Sequence, residues 1–273
     1  MNTSPVPVVE VLSAEKVFGN GTRALDPISL TVQPGEFITL LGPSGCGKST
    51  LLKMIANLIE PSEGRINWWR GGHEAVGKPG RKLVFVFQDA TLMPWARVAG
   101  NVRLPLDLAG VDRGEADRRV AASLDLVGLS QFGRHYPRQL SGGMQMRASI
   151  ARALVDEPDL LLMDEPFGAL DEITRNRLDA DLLRLWQEKN LTIIFVTHSI
   201  YEAVFLSTRV IVMAARPGRI LREVTIDEPH PRGEAFRVSQ AFAGYARELQ
   251  HLLVEASHGA GPQPGDVVAG EPA

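Results

Sequence analysis

The sequence predicts an α/β fold, with a mostly parallel sheet wrapped by helices, an antiparallel β subdomain ahead of it, an inserted helical subdomain and a C-terminal helix. Two observations carry this. Short continuous apolar runs recur at residues 37–41, 83–87, 160–163, 192–196 and 210–213. Strands buried on both faces read this way, and helical stretches lie between several of them, as parallel strands require. The first run also feeds directly into a glycine-rich turn and then a helical stretch, a strand–turn–helix unit.

Upstream, residues 8–12 and 28–32 read as strands of a more exposed, antiparallel kind, and Pro34-Gly35 supplies the turn before residue 37. Helices are expected over 48–58, 114–127, 142–155 and 172–188, the last carrying Leu178, Leu182 and Leu185 at helical spacing. Between Gln88 and Ser141 no strand-like run occurs, so a helical subdomain of about residues 89–155 is inserted into a core spanning 1–228. A final helix over 234–256 aligns Val238, Phe242, Tyr245, Leu249 and Leu252 on one stripe and is expected to dock on the core, because its polar face is mixed in charge. Residues 257–273, rich in Gly, Pro and Ala, read as a disordered tail. The pair Trp68-Trp69 is given no role beyond packing near a sheet edge.

The composition narrows the function classes. A net charge of −3 over 273 residues gives no pull toward nucleic acid or anionic lipid. The lone Cys46 forms no internal disulfide, and residues 1–10 lack a basic stretch followed by an apolar core, so a cytosolic location is expected. The longest apolar runs fall far short of the roughly 20 residues that cross a bilayer, so any membrane task needs another chain.

Gly42-Pro43-Ser44-Gly45-Cys46-Gly47-Lys48-Ser49, followed by Thr50, fits the phosphate-binding pattern G-x-x-x-x-G-K-[ST] in full and lies between strand and helix, as the chemistry needs. The glycines let successive N–H groups point inward, the helix adds its positive dipole end, Lys48 adds a charge and Ser49 can ligate Mg²⁺. Cys46 reads as a small tolerated residue. The run at 160–163 ends in Asp164-Glu165: Asp164 fits a Mg²⁺ ligand, and Glu165 fits a general base that polarises the attacking water. An acidic turn after a strand is the plain alternative for this pair taken alone.

Leu140-Ser141-Gly142-Gly143-Met144-Gln145 lies shortly before that strand and opens a helix, and here the chain comes to resemble the ATP-binding cassette (ABC) ATPases over residues 8–225. Ser-Gly-Gly alone is a common loop; the order of motifs gives it weight. The resemblance implies that Ser141, Gly142 and Gly143 bind the γ-phosphate of ATP held by a partner subunit, in a head-to-tail homodimer with two composite sites. It implies that Gln88 contacts Mg²⁺ and links the catalytic site to the helical subdomain. It makes Asp171, after Ala169-Leu170, the aspartate that crosses the dimer interface, a role compatible with capping the helix from Glu172. It makes His198 a γ-phosphate contact and Phe18 the aromatic that stacks on adenine, where the family more often has tyrosine. Met146 replaces the usual glutamine or basic residue without touching a catalytic role.

Family members are either transporter subunits or soluble proteins of DNA repair or translation. The segment between Gln88 and Ser141 is too short for the long coiled coil of the repair type, and one P-loop with one signature argues against the tandem translation type. Leu92, Met93 and Trp95 are expected in a loop, exposed unless a partner covers them; packing within the helical subdomain is the alternative for Trp95. The run Leu92-Met93-Pro94-Trp95 followed by Asn101-Val102, and Pro231-Arg232 ahead of the last helix, are similar to the nitrate, sulfonate and taurine importer branch. That implies a peripheral subunit on the cytoplasmic face of the membrane. It would work with integral membrane permease subunits, indirectly with an extracytoplasmic solute-binding protein, and with no nucleic acid.

Overall fold

The computed structural model describes residues 6–68, 82–168 and 170–258. Its centre is a sheet of strand order β5-β6-β7-β3-β8-β9, with β3 Phe37–Leu41, β5 Leu83–Val86, β6 Leu160–Asp164, β7 Thr192–Thr197 and β8 Arg209–Ala214 parallel and β9 Arg219–Thr225 antiparallel at the edge. Side chains alternate between two cores. On β3, Phe37 and Leu41 join one buried cluster while Ile38 and Leu40 join the other, and Ile193/Phe195 and Ile194/Val196 divide in the same way on β7. Because both faces are covered, these strands carry no polar face, which is why they read as unbroken apolar runs.

One face is covered by α1 Lys48–Ile55 and by a second sheet, β2-β1-β4, formed by β1 Val9–Val17, β2 Arg23–Val32 and β4 Glu63–Trp68 in antiparallel pairing. The other face packs on α2 Val98–Leu108, α3 Arg113–Leu126, α4 Gly142–Leu154, α5 Glu172–Lys189 and α6 Ile200–Leu206. The helical insert is therefore α2, α3 and α4, packed on one another. Helix starts follow capping chemistry: the carboxylates of Asp112 and Asp171 and the hydroxyls of Ser141 and Ser199 accept from backbone N–H groups of α3, α5, α4 and α6.

Three expectations are corrected. The final helix is two, α7 Glu234–Arg237 and α8 Gln240–His258, so residues 257 and 258 are helical. Val238 sits in the break and is 85% exposed, off the stripe that Phe242 and Leu249 bury. The break has a local cause: Ser239 Oγ accepts from Phe242 N, which restarts the chain as a new helix. Leu92 packs against the core and Met93 is half-buried, leaving Trp95, at 76%, as the exposed member of that loop. Trp68 closes β4 as a buried residue whose Nε1–H donates to Ile55 O at 2.9 Å; Trp69, Ala169 and the tail from 259 lie outside the described residues.

Candidate active site

β3 is flanked by β7 and β8, and β6 pairs with β7 on its far side, so the carboxyl ends of β3, β6 and β7 stand side by side. The glycine-rich turn leaves β3 there, and its shape needs glycine. A Cβ on Gly42 would lie 2.5 Å from Met213 O, and Gly47, at φ +91°, would place one 2.4 Å from Leu25 Cδ2. Gly47 is also the N-cap of α1, so the helix amino end faces the turn. Lys48 is buried and turns back across the loop, donating from Nζ to Gly42 O at 2.8 Å and Pro43 O at 3.1 Å. Cys46 is fully buried beneath the loop, and burial pushes its thiol up against the lowering influence of Lys48.

Ser49 Oγ donates to Asp164 Oδ1 at 2.8 Å, joining the first turn of α1 to the end of β6. Burial, with the adjacent Glu165 charge, raises the Asp164 carboxyl above its ordinary range, while Ser49 opposes the shift. A cation would reverse that balance. The donor set fits Mg²⁺: a hydroxyl and a carboxylate, both hard oxygens, leave positions for phosphate oxygens and water. Among the described residues no group of three or more His, Cys, Asp or Glu is placed to hold a metal, so a cation here would complete its shell from the substrate.

Glu165 leaves the strand with φ +45°, its N–H donating to Val196 O at 3.0 Å, and this left-handed step turns its carboxylate out of the sheet. His198 Nδ1 lies 3.2 Å from Glu165 Oε2. A Cβ on Gly168 would be 3.7 Å from Glu165 Oε2 and 3.8 Å from Gln88 Nε2, so Gln88 and Glu165 border the same glycine.

A cavity of about 590 Å³ is lined by Ser44, Gly45, Gly47, Lys48, Ser49, Thr50, Glu165 and Phe18. Phe18 reaches it from the turn between β1 and β2, closed by Phe18 N donating to Thr22 O at 2.9 Å, and Lys16 Nζ stands 5.7 Å from its ring centre. Gly42, Pro43 and Cys46 shape the loop without lining the cavity. Sequence reasoning missed Arg23, Arg216 and Pro217, which also line it. The dipeptide Pro217-Gly218 is a turn signal, yet only the fold stitches that turn to β2, through Gly218 N to Ala24 O at 3.0 Å and Asp26 N to Gly218 O at 2.9 Å.

Ser141, Gly142, Gly143 and Asp171 are not among the residues lining this cavity. Ser141 is exposed at the start of α4, where its hydroxyl accepts from Met144 N at 3.3 Å. Asp171 is exposed at the start of α5, and its bond from Thr174 N, at 3.0 Å, holds its carboxyl below the usual range. The two helix starts adjoin: a Cβ on Gly143 would be 3.0 Å from Thr174 Cγ2.

Comparison with known proteins agrees with this geometry. Residues 25–168 match the family model described as ABC transporter. An uncharacterised ABC transporter ATP-binding protein of Methanocaldococcus jannaschii is 47% identical over 248 residues, 90% of this chain and 91% of that protein. An aliphatic sulfonates import ATP-binding protein of Bacillus licheniformis is 45% identical over 229 residues, 83% of this chain and 88% of that one. Among solved structures, a dimeric ATP-binding cassette in a post-hydrolysis state bound to ADP and Pi superposes with a TM-score of 0.71 at 32% identity, covering 81% of this chain and all of that one. A phosphate-binding turn, a hydroxyl–carboxylate pair and a glutamate facing a histidine, set on this fold and at this degree of identity, place the chain in the ABC transporter family as one of its ATP-hydrolysing, ATP-binding cassettes.

Proposed function

We propose that this cassette is the peripheral ATPase subunit of an importer for nitrate, a sulfonate, taurine or a similar small solute, working as a head-to-tail homodimer beneath integral membrane permease subunits at the cytoplasmic face. One observation carries the dimer: Ser141 and Gly142 open α4 exposed to solvent, so the N–H groups of that helix start are open to an anion brought by a second copy. A second copy turned end to end brings that helix start over the first copy's nucleotide. The importer reading is supported by the sulfonate-import role of the Bacillus licheniformis relative and by the exposed Trp95, a surface for the permease. An extracytoplasmic solute-binding protein would deliver the solute. Among the described residues no helix is long and apolar enough to cross a membrane, so the translocation path belongs to another chain. A role in DNA repair or translation has no comparable support, since the insert's longest helix, α3, has 14 residues, too short for the long coiled coil of the repair type. The working unit spans residues 1–228, with 229–258 as a docked extension that ends with α8.

In the mechanism, Phe18 stacks on the adenine, and the N–H groups of residues 44, 45 and 47–50 with the Lys48 ammonium hold the β- and γ-phosphates. Ser49, Asp164 and Gln88 would hold Mg²⁺, which would neutralise phosphate charge when bound. Glu165 takes a proton from the attacking water, and His198 steadies the Glu165 carboxylate and contacts the γ-phosphate. Asp171 and the Ser141 turn approach from the partner copy, so closure assembles the site and hydrolysis releases it. Glu165→Gln tests this directly: chromatography with ATP and Mg²⁺ should show a trapped dimer with no phosphate release, and wild-type hydrolysis by the variant refutes the assigned base. Co-expression with the permease subunits tests the importer half, through co-purification.

A further inference from the structure

Behind His198 lies a buried ion pair that the catalytic assignments leave unused. Thr197, the residue before His198, donates from Oγ1 to Glu202 Oε2, and the same Oγ1 accepts from Ser199 N at 2.9 Å, so the backbone on both sides of the histidine is fixed through one hydroxyl. Glu202 is 4% exposed and lies on α6. Its other oxygen, Oε1, stands 3.6 Å from Arg175 Nε on α5. Arg175 in turn addresses the turn ahead of α5: Nη2 donates to Leu170 O at 2.8 Å and Nε to Phe167 O at 3.4 Å. Those carbonyls belong to the segment that runs from Glu165 to Asp171. The turn's own side chain closes the loop, since Phe167 packs against Phe195 of β7 with ring centres 5.8 Å apart.

The geometry points to Glu202 and Arg175 as positioning residues for ATP hydrolysis: their ion pair locks the His198 end of β7 to the 167–171 turn, so that the γ-phosphate contact and the interface aspartate are set as one piece. This rests on the roles proposed above for His198 and Asp171. A carboxylate this deeply buried is costly unless paired; Arg175 sets its charge 3.6 Å from Glu202 Oε1, a Coulombic contact without a hydrogen bond, while its fork bonds the Phe167 and Leu170 carbonyls and Glu172 Oε2. Burial pushes the Glu202 carboxyl up, and Thr197 and Arg175 oppose it. Burying such a pair contributes little to stability by itself; what it fixes is register between two elements. A second arginine braces the cluster from the C-terminal extension: Arg237 Nη2 of α7 donates to the buried Asp179 Oδ2 of α5 at 3.2 Å.

Glu202→Gln keeps the side chain's shape and its bond from Thr197 while removing the charge. Steady-state hydrolysis by the full chain should then show kcat lowered about tenfold, with binding of a fluorescent ATP analogue changed by less than about twofold. Arg175→Gln, at the more exposed end of the pair, should give the same split, and supplies the reading if Glu202→Gln does not fold. The double variant should be no worse than either single, and Arg175→Lys should recover part of the loss. Wild-type kcat in both single variants, or losses that multiply in the double, overturns the inference. Glu165→Gln and His198→Ala run alongside separate the two levels. If both are inactive while Glu202→Gln is fully active, only the positioning role fails; if both hydrolyse normally, the site reading fails and this inference with it.

Discussion

His198 Nδ1 and Glu165 Oε2 lie 3.2 Å apart although the two residues follow different strands, β7 and β6, and stand 33 positions apart in the chain. An ionised carboxylate only accepts, so in this contact Glu165 takes the Nδ1 proton of His198. His198→Ala should therefore lower kcat about a hundredfold while KM for ATP moves less than about threefold, measured by phosphate release. A loss confined to KM would place the histidine in ground-state binding instead.

The Ser49–Asp164 contact makes a different prediction. Asp164→Asn keeps a hydrogen-bonding oxygen but removes the charge that a divalent cation needs. The Mg²⁺ concentration for half-maximal hydrolysis should rise about tenfold or more, with nucleotide binding in the absence of Mg²⁺ unchanged.

Trp95 stands out at 76% exposure in a loop that is otherwise held firmly. Asn101, fully buried, accepts from Met93 N at 2.7 Å and donates to Met93 O, Ala96 O and Arg97 O, each at 3.2 Å. Trp95→Ala should leave basal ATPase and the unfolding midpoint near wild type and should abolish co-purification with the permease. Retained co-purification would remove Trp95 from the docking surface.

Arg232 binds five backbone carbonyls, those of Val204, Phe205, Ser207, Ile226 and Glu228, at 2.9 to 3.2 Å. Burial lowers its pKa to about 10. Arg232→Ala strands several carbonyls at the end of α6, so urea unfolding should show a loss of about 3 kcal/mol or more.

Asp179 and His230 set opposing pH dependences. Burial, with the Glu202 charge, pushes Asp179 up to about 7, against the pull of Arg237. The folded state then holds a proton that the unfolded chain gives up, so this contribution to stability falls as pH rises from about 4 toward 7. Burial and the Arg232 charge press His230 down to about 4 from 6.5, so its contribution is present above pH 6.5 and lost as pH falls. In Asp179→Asn the unfolding free energy should gain relative to wild type as pH rises across that range, checked by urea titration at pH 5 and pH 7. Parallel pH profiles would show that Asp179 does not hold the proton.

The sequence was most legible where one local rule decides. The strands of the central sheet stood out because both faces are buried, and α3, α4 and α5 because a cap precedes a periodic stretch. It was least legible where local signals conflict. Pro105 sits inside α2 and hides that helix from its pattern. β4 and β9 carry arginines and glutamates on partly exposed edges, so neither shows an apolar run. Val238 continues the spacing of α8 but falls in the break that Ser239 makes.

By itself the sequence pointed to the phosphate turn, to Ser49, Asp164 and Glu165, and to the strands beside them, because each depends on residue type and near neighbours; His198 was singled out only through the family resemblance. Only the tertiary structure decided that Ser49 meets Asp164, that Glu165 faces His198, and that Arg23 and Arg216 line the same cavity. Those residues sit far apart in the chain, on or beside the ends of different strands, and their meeting is fixed by the order β6-β7-β3-β8 and by which way each side chain turns. A pattern read along one strand carries no information about its neighbour.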